Sequence, residues 1–138
     1  MHPELVEIAD KDGRYAWEAF AFALDALTHT QRMFGKSNPV PGQTAGAEHH
    51  VTARELLEGV CDLARQEFGL MAPIVFERWG IRTTGDIGNI IFALIHSSVL
   101  FKNENDRRED FDDVFDLTQV MTGDYRIEVE EVGKWGSR

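Results

Sequence analysis

Residues 15–27, YAWEAFAFALDAL, hold 11 apolar residues out of 13, interrupted only by Glu18 and Asp25. At that density apolar side chains lie nearly all round a helix, and such a helix is buried on several sides. In a chain of 138 residues two placements satisfy this. The helix either runs through the centre of the chain's own core or forms an interface between copies, a homodimer through residues 15–27. It is predicted to continue to about Phe34. A shorter helix over residues 3–9, PELVEIA, precedes it and closes at the turn Asp12-Gly13.

The remaining punctuation divides one domain, 1–138, into parts. Residues 1–35 form an N-terminal helical part. Residues 36–50 mix Gly, Pro, Ser and Asn without periodicity and read as a linker. Thr52-Ala-Arg-Glu55 then fits a capping box, with Val51 and Leu56 placed for a hydrophobic staple. Leu56, Leu57, Val60, Cys61, Ala64 and Phe68 share one face of the helix that follows, and Gly69 suits its C′ position. Pro73 suits the first turn of a short helix carrying Val75, Phe76 and Trp79 and ending at Gly80. Thr83-Thr-Gly-Asp86 is a second capping box, and Ile87, Ile90, Ile91, Leu94 and Ile95 repeat at helical spacing to about Ser98.

Beyond this point the pattern changes. Val99-Leu-Phe-Lys102 reads as a short strand, the charged run NENDRRED (103–110) as a loop, and FDDVFDL (111–117) as a second strand. YRIEVEEV (125–132) alternates like a half-buried third strand, and 118–138 is taken as a C-terminal strand and tail. The expected class is therefore α+β, predominantly α. An N-terminal helical hairpin precedes a winged-helix-like three-helix unit at 51–117, with a small C-terminal β-hairpin or sheet. That comparison concerns architecture and carries no function.

Charge narrows the partners. The net charge is −10, and residues 103–131 hold 11 acids against 3 bases. Phosphate backbones are bound by clustered Lys and Arg, so nucleic-acid binding is disfavoured. No apolar run reaches the roughly 20 residues that span a bilayer. The N-terminus carries acids where a secretory signal would carry bases. Cys61 is the single cysteine, which excludes a disulfide framework. The expectation is a cytoplasmic protein with no membrane contact.

The stretch GIRTTGDI (80–87) has the glycine separation of a phosphate-binding loop. Asp86 stands where the loop's Lys would reach the phosphates, and the preceding segment is helical, so a capped connector is expected. In a helix-turn-helix reading the following helix would offer Asn89 and the turn Arg82, beside an unfavourable Asp86. Gly85-x-x-Gly88 echoes a nucleotide-gripping loop but lacks its positive charge. The acidic run fits no EF-hand register, because Arg107 or Arg108 falls on a ligand or glycine position. Glu48-His49-His50, even with His29 or His96, lacks metal-site spacing, and no metal or cofactor is expected. His96 reads as a partly buried packing residue. No G-x-S-x-G elbow is present, and Cys61 lies on an apolar face where thiols are inert.

Several motifs in one order, RYAWEAFAF (14–22), HVTARELLEGV (50–60), FGLMAP (68–73), ERWGIRTTGDIGNIIFALI (77–95) and REDFDDVFD (108–116), resemble a small family of uncharacterised bacterial proteins. The resemblance implies a soluble bacterial protein and carries no activity, substrate or ligand.

The reading that follows is a non-enzymatic protein-interaction or regulatory module with an acidic face, suited to a basic protein partner. Its candidate contacts are Arg82, Asp106, Glu109, Asp110, Asp112, Asp113 and Asp116. A nucleic-acid-binding winged-helix-like regulator is the alternative, and a small-molecule enzyme of unknown class comes third.

Overall fold

The computed structural model describes residues 3–35, 51–100 and 107–122. These residues form helices α1 (Pro3–Asp12), α2 (Trp17–Met33), α3 (Ala53–Phe68), α4 (Ala72–Trp79), α5 (Thr84–His96) and α6 (Leu117–Met121). Short 3-10 turns occupy Gly69–Met71 and Arg108–Phe111.

The apolar helix is the centre of this arrangement. α2 packs against α1, α3, α4 and α5 and buries Ala19, Phe20, Phe22, Ala23, Ala26 and Thr30. The Phe22 ring meets those of Phe68, Phe76 and Trp79 at centroid separations of 5.7, 5.6 and 5.5 Å, within the range where aromatic pairs add to simple burial. α3 comes close because it presents Gly59 to Thr30: a β-carbon there would overlap the Thr30 hydroxyl. Much of the apolar content of residues 15–27 is thus buried inside the chain, while Trp17, Ala21, Leu24 and Leu27 are partly buried against the core. One buried cluster runs from Leu5 to Met121.

Helix ends follow the sequence punctuation. At α3, the Thr52 hydroxyl accepts from the Glu55 N–H (3.1 Å) while the Glu55 carboxylate accepts from the Thr52 N–H (2.9 Å). Val51 and Leu56 are both buried beside it, as a staple requires. At α4, Gly80 is left-handed at φ 94°. The Ile81 N–H donates to the Phe76 carbonyl (2.9 Å) and the Gly80 N–H to that of Glu77 (3.0 Å), the bond pair of a Schellman end. A β-carbon at Gly80 would lie 2.5 Å from the Arg14 carbonyl oxygen, so glycine serves both the turn and the approach of the loop before α2.

The α+β class is overturned: the described residues contain no strand, so neither the expected β-hairpin nor a wing is formed there. Val99 and Leu100 belong to the end of α5. Ser98 is left-handed (φ 63°), the Val99 N–H donates to the Leu94 carbonyl (2.9 Å) and the Ser98 N–H to that of Ile95 (3.0 Å). That is a second Schellman end, with Ser in place of the usual Gly, and it turns Val99 back onto the core. Residues 111–117 form part of a 3-10 turn, a bend and the start of α6, because Asp116 caps α6 by accepting from the Gln119 N–H (3.1 Å). The proposed strand at 125–132, the linker 36–50 and Lys102 lie outside the described residues.

Candidate functional site

Asp86 joins three segments of the fold through its carboxylate. Its Oδ2 accepts from the backbone N–H groups of Arg82 (2.8 Å) and Thr83 (3.0 Å), closing the second capping box. Its Oδ1 accepts from the Tyr15 hydroxyl at 2.6 Å. Burial pushes the carboxyl up, but the bonds from Tyr15, Arg82 and Thr83 outweigh it and hold the pKa below the ordinary aspartate value. Burial also raises the Tyr15 phenol, and there it prevails, taking the pKa up to about 12.

The chain of bonds continues outward. Asn89 Nδ2 donates to the Tyr15 oxygen (2.8 Å), Arg108 Nε donates to Asn89 Oδ1 (2.6 Å), and Arg108 NH1 donates to Asp112 Oδ1 (2.6 Å). The loop before α2, the first turns of α5 and the acidic segment are therefore one polar unit. The Thr84 hydroxyl also accepts from the Val114 N–H (3.1 Å), and Phe111 stands edge-on to Phe92 (6.4 Å, 81°). Gly88 makes room for Phe111, whose Cβ would be 2.6 Å from an added β-carbon.

This geometry gives GDIG (85–88) a structural meaning. Gly85, Gly88 and Asn89 occupy the helix start that a helix-turn-helix would present to DNA, and residues 108–112 cover it. Asn89 spends its amide on Tyr15 and Arg108, and Asp86 spends its carboxylate on the cap.

The candidate contacts divide accordingly. Arg82, Glu109, Asp110, Asp112, Asp113 and Asp116 are all exposed. Asp112 is paired with Arg108, Asp116 caps α6, and Asp106 lies outside the described residues. Arg82 lines a groove of about 290 Å³ between α4 and α6, with Ile74, Phe76, Ile81, Leu117 and Met121 as its apolar wall. Ile74 of that wall is 46% exposed, and Leu70 (86%) and Met71 (54%), in the 3-10 turn that leads into α4, are also large apolar side chains left in solvent. Neither this corner nor the Tyr15–Asp86–Asn89–Arg108 chain was among the sequence candidates. The corner did leave a signal: Leu70 and Met71 fall between a helix-ending Gly69 and the helix-starting Pro73, where a connection is ordinarily polar.

Other candidates resolve simply. His96 is exposed, a correction to its reading as a packing residue: it sits in the last turn of α5, whose apolar repeat ends at Ile95. His29 Nε2 lies 2.8 Å from Asp62 Oδ2, tying α2 to α3. His49 and His50 lie outside the described residues, and among the described ones no three His, Cys, Asp or Glu side chains group as a metal site. Cys61 is fully buried, and burial pushes its thiol up to about 12, which leaves it without thiolate character at neutral pH. No helix among the described residues is long and apolar enough to cross a membrane.

No protein-family model, curated protein or solved structure matches the chain. The family resemblance of the motifs therefore gains no support from these comparisons, and a functional reading rests on the site itself.

Proposed function

We propose that the protein is a non-enzymatic interaction module that docks an apolar segment with basic flanks, supplied by a protein partner, along the α4–α6 groove. The observation that carries this reading is the exposure of Leu70, Met71 and Ile74: Ile74 lines a groove walled by apolar side chains, and the other two lie in the turn that leads into the same helix. Scattered surface leucines need no explanation, but large apolar residues grouped against a groove mark an interaction site. Charge favours the choice of partner. The acidic segment leads directly into α6, so Asp113 and Asp116 stand close in sequence to the Leu117 and Met121 wall. An acidic approach steers basic segments and repels acidic ones.

The test compares capture from native cytosol by the wild-type protein, by Leu70→Asp/Ile74→Asp and by Glu109→Gln/Asp113→Asn. The reading expects a partner that the apolar variant loses and that the charge variant holds with weaker salt dependence. Equal capture by wild type and the apolar variant, with both folded, would rule the groove out.

A further inference from the structure

We infer that a second groove, lined by both Asn89 and Arg108, binds a small organic anion: an apolar body carrying a carboxylate or phosphate group. This groove, of about 600 Å³, lies between α1 and α5, within the size range of small-molecule sites. Lys11, Arg14, His96 and Arg108 line it above a floor that includes Phe92 and Ala93. In a chain of net charge −10, three permanent cations line one surface on which, among the described residues, Asp12 is the only acidic side chain.

Two of those cations are held in place. Arg14 gives Nε and NH2 to Asp12 at 2.6 and 3.1 Å, and its guanidinium lies 5.3 Å from the Tyr15 ring centroid. Arg108 gives Nε to Asn89 and NH1 to Asp112. Arg14 NH1 and Arg108 NH2 carry no hydrogen bond among the described residues, and the Lys11 ammonium forms no ion pair there. Preorganised guanidinium groups with a donor to spare are the usual recognition chemistry of carboxylates and phosphates. Asp12 and Asp112 offset part of the positive charge but also fix the two arginines, which reduces the ordering cost when an anion arrives. The apolar lining sets the ligand class, since a bare inorganic anion would leave the solvent-facing parts of Phe92 and Ala93 uncovered.

The experiment is an amide and arginine-side-chain NMR titration of the full ¹⁵N-labelled chain with sodium benzoate, and separately with sodium phosphate, at constant ionic strength. Saturable shifts at Lys11, Asn89, Ala93 and the Arg108 Nε–H are expected, stronger with benzoate than with phosphate. Lys11→Glu/Arg14→Glu should weaken benzoate binding by about tenfold or more, the scale of one or two charge-assisted contacts. Ala93→Trp, which fills the floor and leaves every charge in place, should weaken it as well. Absence of saturable shifts in the wild type overturns the inference, as do shifts spread over the surface or binding unchanged in both variants. Because the α4–α6 groove lies elsewhere, either outcome is independent of partner docking.

Discussion

A β-carbon at Gly59 would overlap the Thr30 hydroxyl and lie 2.8 Å from Thr30 Cβ. Thr30 cannot easily yield, because it is fully buried and its hydroxyl already donates to the Ala26 carbonyl at 2.6 Å. Gly59→Ala sets two effects against each other. Alanine gains about 1 kcal/mol of helix propensity, while overpacking a close helix contact costs about 1–3 kcal/mol. We expect the clash to win and the variant to be destabilised by roughly 1–2 kcal/mol on that balance, read by urea denaturation. Thr30→Ala removes the nearest obstructing atom, so the double variant should be more stable than the sum of the two changes predicts. Strict additivity would mean that the two helices are not held at this contact.

At the scale of elements, the acidic segment is pinned to α5 by one ring. Phe111 fills the space that Gly88 leaves, and the Val114 and Arg108 bonds sit on either side of it. Phe111→Ala should cost about 3 kcal/mol, the low end for a buried aromatic. It should also raise hydrogen exchange at Val114 well before the amides of α2 and α3 respond. Uniform loss of protection across the chain would show that the segment does not open as a separate unit. This docking was not legible in the sequence, although most helix ends were. Thr52, Thr83, Pro73, Gly69 and Gly80 act through neighbours within a few residues, so their spacing carries the information. The strand expected at 111–117 rested on Phe111 and Phe115, whose separation of four fits a helical turn as well, and the Asp116 cap decided between them. Arg108 and Asn89 are 19 residues apart, and Asn89 and Tyr15 are 74 apart. Nothing local marks such pairs, and no family pattern supplies them.

For the whole molecule, the pH dependence of stability has two limbs. Asp86 titrates below its unfolded value in the native state, so its contribution is complete above about pH 4 and is lost as pH falls through the folded pKa. Tyr15 titrates above its unfolded value, at about 12. Its contribution is therefore complete below about pH 10 and is lost as pH rises towards 12, with a slope of at most about 1.4 kcal/mol per pH unit for one proton. Tyr15→Phe should make the alkaline limb shallower, leaving the share of the buried Cys61 thiol, which also titrates at about 12, and should soften the acid limb because Asp86 loses its shortest bond. Thermal melts of both proteins across the pH range test this, and parallel profiles would contradict it. The −10 charge adds a separate effect: self-repulsion is screened by moderate salt, which should raise the melting temperature of wild type and variant alike.

The Tyr15–Asp86 bond also bears on the order in which the chain assembles. It spans 71 residues, whereas the two Schellman ends, both capping boxes and the Phe111–Gly88 contact join residues no more than about two dozen apart. Long loops close late, since their entropy must be met before the contact gives anything in return. The α3–α5 half with its acidic segment can therefore form first, and the N-terminal helices dock onto it last through the tyrosine hydroxyl. Asp86→Asn keeps a side-chain acceptor for the helix cap but weakens that final bond. It should speed unfolding while leaving the folding rate nearly unchanged in stopped-flow kinetics. A matching fall in the folding rate would instead place the Tyr15 contact in the nucleus.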